Sequence, residues 1–278
     1  MEGRRKLIVN SDHDRTLCKD FSTTLAIRFN SRPKPKAVLE RLMVESINIK
    51  EGTLLKRTTL LPEDVVHDFL ASKGKKELET LEDIARCGEW GLYEDGRLTK
   101  EALIIIKGLL LEGLREEDLK KAASSAGEAL TDGAVDYAKA ITRYRHFHVI
   151  VSDGWKPIVE ATANALRDCG ARIDRIRASV PFFDGGIFKG SLMKLDKFQT
   201  SLDIYRDFVV LPQDGVYRSA VMVDDSAQNI KLMKRHGLAI AFCPTEKDAK
   251  RFEEAKIAVQ AEKDLRKTFS KIKEFSRL

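Results

Sequence analysis

Hydrophobic and polar positions follow two different patterns along this chain. Residues 4–11 contain the short apolar run "LIV" and are typical of a buried strand. From about residue 20 to 137, apolar residues recur at helical spacing among Glu, Lys and Ala, and β-branched runs are few. This pattern predicts a helical block whose helices span 35–47, 62–71, 76–86, 99–111 and 115–126.

From about residue 138 the pattern changes to short apolar strands that alternate with helices. The predicted strands are "FHVIVSDG", "ARIDRIRAS", "PFFDGGIFKGSL", "SAVMVDD", "GLAIAF" and "KIAVQ". Such alternation is typical of βαβ units and predicts an α/β fold with a parallel sheet. We therefore expect a core formed by 1–19 and 138–278, with the helical block 20–137 inserted after the first strand.

Composition narrows the class of protein and partner. The formal net charge is +6, but ten Lys or Arg and six Asp or Glu lie interleaved in residues 247–278, which favours a solvated helix face over a nucleic-acid site. The most apolar stretch, "EALIIIKGLLLEGL", is interrupted by charges, so no membrane span is expected. The four cysteines are far apart and form no CxxC pair, which favours a reducing, cytoplasmic setting. The sequence leaves the oligomeric state open.

Chemically active side chains follow three of the predicted strands. Asp12 and Asp14 follow the first strand, Ser152 ends "HVIVS", and Asp224 and Asp225 end "AVMVDD". Ligands of open parallel sheets bind at the carboxyl ends of the strands, so we expect these groups to meet at one edge. Acids there suit a hard cation such as Mg²⁺, and a hydroxyl with a lysine suits an anion, which together favour a phosphate ester.

The order of these groups resembles the haloacid dehalogenase superfamily of phosphohydrolases. "DHDRT" matches its first motif, DxDx[TV]; Ser152 matches the second, a lysine the third and "DDSAQN" the fourth. The resemblance is greatest to phosphoserine phosphatases and covers residues 4–19 and 112–278. It implies a Rossmann-like core with an all-helical cap after the first strand, the cap choosing the substrate.

The resemblance also implies a role for each matched residue. Asp12 is the expected nucleophile, and Asp14 the general acid and base. Mg²⁺ is expected on Asp12, the backbone carbonyl of Asp14, and Asp225, with Asn229 in support. The expected phosphate-binding residues are Ser152, Asp153, Gly154 and Lys197.

Some alternatives stay open at this point. Lys194 competes with Lys197 for the third motif, although Lys197 better fits the opening of a helix that carries Leu202 and Ile204. Asp224 is expected to support the metal site without binding the metal directly, and the five histidines are assigned no role. Phe21 stands where an acid that grips the substrate amine is expected, so the expected substrate is a small phosphorylated metabolite whose identity the sequence leaves open. A non-catalytic phosphate-binding protein and a receiver-like phosphoacceptor domain are the alternative functions.

Overall fold

A parallel sheet organises the sequence-distant strands that carry the candidate site. The computed structural model describes residues 6–51, 54–193, 195–208 and 210–277. The strands are β1 (Ile8–Ser11), β2 (Ser46–Glu51), β3 (Leu54–Thr59), β4 (Phe147–Trp155), β5 (Arg175–Asp184), β6 (Ile187–Met193), β7 (Tyr217–Asp224), β8 (His236–Phe242) and β9 (Ala258–Gln260). The large sheet has the order β6-β5-β4-β1-β7-β8-β9. From β5 through β9 the neighbouring strands in this order run parallel.

The helices of the described residues fall between these strands as the pattern predicts. They are α1 (Ser22–Phe29), α2 (Pro35–Val44), α3 (Glu63–Lys73), α4 (Leu81–Tyr93), α5 (Lys100–Leu110), α6 (Glu116–Ser125), α7 (Ala134–Arg143), α8 (Lys156–Asp168), α9 (Lys197–Asp207), α10 (Ile230–Met233), α11 (Glu246–Glu254) and α12 (Leu265–Phe275). The predicted α/β fold with a parallel sheet is confirmed.

The chain forms two compact units. The first contains Met1–Ser22, Ala123–Pro181 and Ser191–Leu278, and the second contains Thr23–Ala122 and Phe182–Gly190. Residues 123–137 thus belong to the first unit. The division of the chain into domains at 1–19, 20–137 and 138–278 remains a prediction.

The sheet of the first unit is covered by helices on both faces. Val9, Val221 and Ile240 pack against α7, α8 and α12 on one face. Ile8 and Val149 pack on the other face against Ile204 and Tyr205 of α9. Successive residues of a strand face opposite sides of the sheet, so the near-continuous apolar runs of β1, β4 and β7 fit a sheet buried on both faces.

The second unit is built mainly of helices but is not all-helical. Its buried side chains include Leu25, Leu42, Phe69, Ile84 and Ile106. The expectation of an all-helical cap is wrong in one respect, because β2 and β3 pair as a two-stranded antiparallel sheet. In the sequence, Ile47 and Ile49 alternate with polar residues, a strand period that the surrounding Glu and Lys residues obscure.

One predicted helix is displaced along the chain. The prediction placed it at 76–86, whereas α4 spans Leu81–Tyr93. Its start is set by a capping box: the Thr80 hydroxyl accepts from the Asp83 backbone N–H at 3.0 Å, and the Asp83 carboxylate accepts from the Thr80 N–H at 3.2 Å. Such a box satisfies N–H groups that lack a helical partner, so it fixes where the helix begins.

Candidate active site

The candidate site lies where the strand order reverses around β1. β4 lies on one side of β1 and β7 on the other, so the chain connections leave β1 in opposite directions. Asp12 directly follows β1, and its backbone N–H donates to the Val223 carbonyl of β7 at 2.9 Å. Asp224 is the last residue of β7, and Asp225 follows it. A crevice at such a reversal is the usual ligand site of open α/β sheets.

Three carboxylates converge at this edge. Oxygens of Asp12, Asp224 and Asp225 lie within 4.8 Å of one another, which makes them a possible metal site. Asp12 and Asp224 are buried. Burial and repulsion by the neighbouring aspartates raise the pKa of Asp12 well above its ordinary value, although Lys197 opposes the shift. Burial likewise raises the pKa of Asp225 to about 7, against the effect of Arg15.

Lys197 is the cation nearest the centre of this cluster. It is the first residue of α9, and its Nζ lies 3.0 Å from Asp12 Oδ1 and 2.5 Å from Asp224 Oδ2. Burial alone would lower the pKa of Lys197, but the charges of Asp12 and Asp224 raise it above its ordinary value. The side chain is therefore charged. Lys194, the other candidate for the third motif, lies outside the described residues.

Asp224 is held by more contacts than the sequence suggested. Besides Lys197, its carboxylate accepts from the Ser226 backbone N–H at 2.9 Å and from Asn229 Nδ2 at 3.0 Å. Asn229, expected to support the metal, thus reaches the site through Asp224. These bonds orient Asp224 beside Asp225, so both aspartates belong to the cluster.

Asp14 lies apart from the three clustered carboxylates and has its own partners. Its Oδ1 lies 2.7 Å from His13 Nδ1 and 3.0 Å from the Ser22 backbone N. Burial opposes ionisation, but the hydrogen bonds and charge of His13 and the bonds from Ser22 lower the pKa of Asp14. The two aspartates of the first motif therefore have different environments, with the pKa of Asp12 raised and that of Asp14 lowered.

The second motif lies inside β4 instead of after it. Ser152 is fully buried, and its Oγ accepts from the Gly154 N–H at 3.0 Å, where the pairing of β4 with β5 shifts register. A Cβ on Gly154 would lie 3.0 Å from both Ser152 Oγ and Asp14 Oδ1, so these atoms are close together. Asp153 is exposed. The roles expected of Ser152, Asp153 and Gly154 remain predictions.

Sequence reasoning missed four residues of the site. His13, Ser22 and Thr162 form hydrogen bonds around Asp14, and Arg15 Nη1 lies 3.7 Å from Asp225 Oδ2. The one signal was a histidine placed between two aspartates, but alternation in a strand would put that side chain on the opposite face. The chain instead turns after Asp12: the Cys18 N–H donates to the His13 carbonyl at 2.9 Å, and Arg15 adopts a left-handed φ of 58°.

Comparison with known proteins gives a likeness of fold. No protein-family profile and no curated protein matches the chain. A substrate-bound phosphoserine phosphatase complex matches at 19% identity and a TM-score of 0.58, covering 96% of this chain and 99% of that one. A HAD family hydrolase from Salmonella enterica serovar Typhi matches at 12% identity and a TM-score of 0.54, covering 92% and 68%. The chain has the haloacid dehalogenase fold.

Within that fold, the likeness extends to the phosphoserine phosphatase-like branch. A phosphoserine phosphohydrolase-like protein from Francisella tularensis matches at 16% identity and a TM-score of 0.52, covering 92% of this chain and 95% of that one. The resemblance inferred from the four motifs is confirmed at the level of fold.

No helix in the described residues has the length and apolar character needed to cross a membrane.

Proposed function

We propose that this protein is a Mg²⁺-dependent phosphomonoester hydrolase that acts on a small phosphorylated metabolite through an aspartyl-phosphate on Asp12. The observation that carries the proposal is the buried Asp12 carboxylate, 3.0 Å from Lys197 Nζ, within a cluster that also holds Asp224 and Asp225. A structural role alone gives no reason to gather three carboxylates, two of them buried, around one lysine and one arginine, since like charges in a dry site repel.

The charges of the site fit a divalent cation. Four carboxylates, on Asp12, Asp14, Asp224 and Asp225, are accompanied by two basic side chains, Lys197 and Arg15. The pKa values of Asp12 and Asp225 are both raised, first by burial and then by repulsion from neighbouring aspartates. Oxygen ligands are those that Mg²⁺ prefers. The proposed ligands are Asp12, the backbone carbonyl of Asp14, and Asp225; bound Mg²⁺ offsets charge repulsion and polarises the phosphoryl oxygen.

The proposed reaction uses the two aspartates of the first motif in turn. An oxygen of Asp12 attacks phosphorus and forms the aspartyl-phosphate, while the bond to the ester oxygen breaks. Asp14 gives a proton to that departing oxygen. A phosphate dianion beside Asp14 favours its protonated form, which offsets the low pKa of the free site. Water then attacks phosphorus, Asp14 takes its proton, and inorganic phosphate leaves Asp12 free again.

The remaining residues of the site bind the phosphoryl group. Lys197 neutralises charge that develops on its oxygens, and Ser152 donates a hydrogen bond to them, with Asp153 and Gly154 forming the neighbouring wall. We further propose that the second, mainly helical unit selects the leaving group. The proposed substrate is a small phosphorylated metabolite, and the proposed setting is cytoplasmic, as the widely spaced cysteines favour.

The proposal is tested with Asp12→Asn, which keeps the shape of the side chain and removes its nucleophilic charge. With Mg²⁺ and a panel of phosphorylated metabolites, turnover should fall by several orders of magnitude while circular dichroism stays unchanged. Asp214→Asn is the matched control, because the Asp214 side chain is 92% exposed and lies outside the site. EDTA should abolish wild-type turnover and Mg²⁺ restore it. Substantial turnover by Asp12→Asn would refute the mechanism, and phosphate binding without turnover would indicate a regulatory protein.

A further inference from the structure

The hydrogen bonds to Asp14 all reach the same carboxylate oxygen. His13 Nδ1 lies 2.7 Å from Oδ1, the Ser22 backbone N lies 3.0 Å from it, and the Ser22 hydroxyl donates to it at 2.5 Å. Within the described residues, no hydrogen bond reaches Oδ2. A carboxylate oxygen has room for about two to three such donors, so Oδ1 is saturated.

His13 is fixed in one orientation by a second partner. Its side chain is fully buried, and its Nε2 lies 2.9 Å from the Thr162 hydroxyl of α8, which is also buried. An ionised carboxylate only accepts, so Nδ1 carries the proton that it shares with Asp14 Oδ1. The contact of Nε2 with the Thr162 hydroxyl holds the ring from its other side.

Ser22 is held against Asp14 by a glycine. A Cβ on Gly154 would overlap the Ser22 hydroxyl and lie 3.0 Å from Asp14 Oδ1. Gly154 has no positive φ, so its backbone does not require glycine. The space that a side chain would fill is taken by the bond between Ser22 and Asp14.

We infer that His13 and Ser22 are positioning residues, which hold Oδ1 of Asp14 so that Oδ2 is the oxygen that passes the proton. This inference rests on the proposed function and assigns roles that the four motifs do not include. It follows from the one-sided hydrogen bonding: Oδ1 can accept from His13 and Ser22 in both protonation states only if the proton resides on Oδ2.

In the proposed reaction, His13 and Ser22 neither gain nor lose a proton. Oδ2–H gives its proton to the ester oxygen as the bond from that oxygen to phosphorus breaks, and the alcohol leaves. Water later attacks phosphorus as the bond from phosphorus to the Asp12 oxygen breaks, and the water gives its proton to Oδ2. His13 keeps its Nδ1 proton throughout, so no donor has to rotate between the two half-reactions, and the carboxyl group stays oriented.

The test uses leaving groups that differ in their need for a proton. For phenyl phosphate, whose leaving group is basic, His13→Phe should lower kcat/KM by about 10-fold to 100-fold, a share of the usual effect of general acid catalysis. For 2,4-dinitrophenyl phosphate, which departs as a stable anion, the loss should be about threefold or less. Equal losses on the two esters, or no loss on either, would overturn the inference. Gly154→Ala should give the same unequal losses, because it displaces Ser22.

Two controls separate positioning from damage to the fold. His13→Asn should recover most of the phenyl phosphate activity, because the Asn amide nitrogen can occupy the place of Nδ1. His67→Asn should match the wild type on both esters, because the His67 side chain is 83% exposed. Failure of Asn to recover activity beyond Phe would count against a specific donor at this position.

A measurement without turnover keeps this inference distinct from the proposed function. Nitrogen-15 NMR of the His13 ring should report a proton on Nδ1, in the wild type and without substrate, as its 2.7 Å contact with Asp14 Oδ1 requires. A ring with a proton on Nε2 and none on Nδ1 would overturn the inference, whatever the activity. If the wild type hydrolyses none of the esters although Nδ1 of His13 carries a proton, the proposed function is refuted. The conclusion that His13 and Ser22 hold the Asp14 carboxylate by Oδ1 would still stand.

Discussion

Lys197 Nζ lies 3.0 Å from Asp12 Oδ1, and both side chains are buried. Lys197 follows Asp12 by 185 positions in the chain, and its contact with the nucleophile depends on α9 starting at Lys197. Breaking a buried ion pair leaves an uncompensated charge, so this lysine contributes to stability as well as to the proposed chemistry.

Replacing Lys197 with Ala should lower turnover by about 100-fold or more, as for loss of a preorganised charge partner. The measurement is kcat on the phosphorylated metabolite that the wild type hydrolyses fastest in the panel used for Asp12→Asn. Circular dichroism checks that the variant is folded. Lys194→Ala, at the other lysine that the sequence offered, should have a mild effect. A large effect of Lys194→Ala together with a mild effect of Lys197→Ala would show that the lysine of the third motif is Lys194. The haloacid dehalogenase fold would be unaffected by that result.

Asp225 should couple metal binding to stability. Because burial and neighbouring charge raise its pKa to about 7, Asp225→Asn should stabilise the metal-free protein by relieving repulsion. Magnesium at 100 times its Kd stabilises a one-site protein by about 2.7 kcal/mol, and the variant should lose most of that increment. Urea unfolding with Mg²⁺ and with EDTA measures both effects. Glu246→Gln, whose side chain is 92% exposed, is the control.

The two results on Asp225 can be told apart. If Asp225→Asn is less stable than the wild type without metal, the hydrogen bonds and ion pair of the Asp225 carboxylate outweigh its repulsion by neighbouring charges. A variant that keeps the full Mg²⁺ increment would remove Asp225 from the proposed ligand set.

The sequence was sufficient to predict the centre of the sheet because β1, β4 and β7 are largely buried on both faces and end at or beside chemically distinctive residues. Together these strands imply the edge at which Asp12, Asp224 and Asp225 converge. The spacing to Leu202 and Ile204 also correctly favoured a helix that opens at Lys197.

The contacts around Asp14 could not be predicted in this way. His13 contacts Thr162 across 149 residues, and its ring reaches α8 only because the chain turns sharply after β1. By contrast, β2 and β3 pair locally, from Ser46 with Thr59 to Glu51 with Leu54, and were missed because they lie among residues with good helix propensity. Contacts between sequence-distant residues, turns of unusual backbone conformation and a hairpin that overrides helix propensity are therefore what the pattern left out.

Packing in the second unit predicts that Gly→Ala substitutions at two positions change the free energy of unfolding in opposite directions. A Cβ on Gly91 of α4 would lie 2.9 Å from side-chain atoms of Leu98 and Val65, both buried. Gly91→Ala should therefore destabilise the protein by about 1 kcal/mol or more, since overpacking outweighs the gain in helix propensity. Gly108 of α5 has no atom within 4 Å of its Cβ position, so Gly108→Ala should stabilise by up to about 1 kcal/mol. Urea midpoints at constant m measure both changes.

Two buried histidines should make the stability of the first unit depend on pH. Burial lowers the pKa of His148 to about 3 and that of His236 to about 4. Well above pH 6.5, the ordinary pKa of histidine, both rings are neutral in the folded and the unfolded chain, so they add no pH dependence. Below that pH the unfolded chain takes up protons that the folded chain does not, so stability falls as the pH falls. At pH 5 each histidine should cost about 2 kcal/mol relative to pH 7.

His148→Gln isolates one of these contributions, because Gln keeps a polar atom within reach of Ser11 Oγ, which lies 3.1 Å from His148 Nε2. The free energy of unfolding of this variant, from urea titrations at pH 7, 6 and 5, should fall less steeply than that of the wild type, by about 2 kcal/mol over the range. His67→Gln, at an exposed position, should reproduce the wild-type slope. An unchanged slope in His148→Gln would show that the His148 ring takes up its proton in the folded state, and that its burial is relieved by local opening near β4.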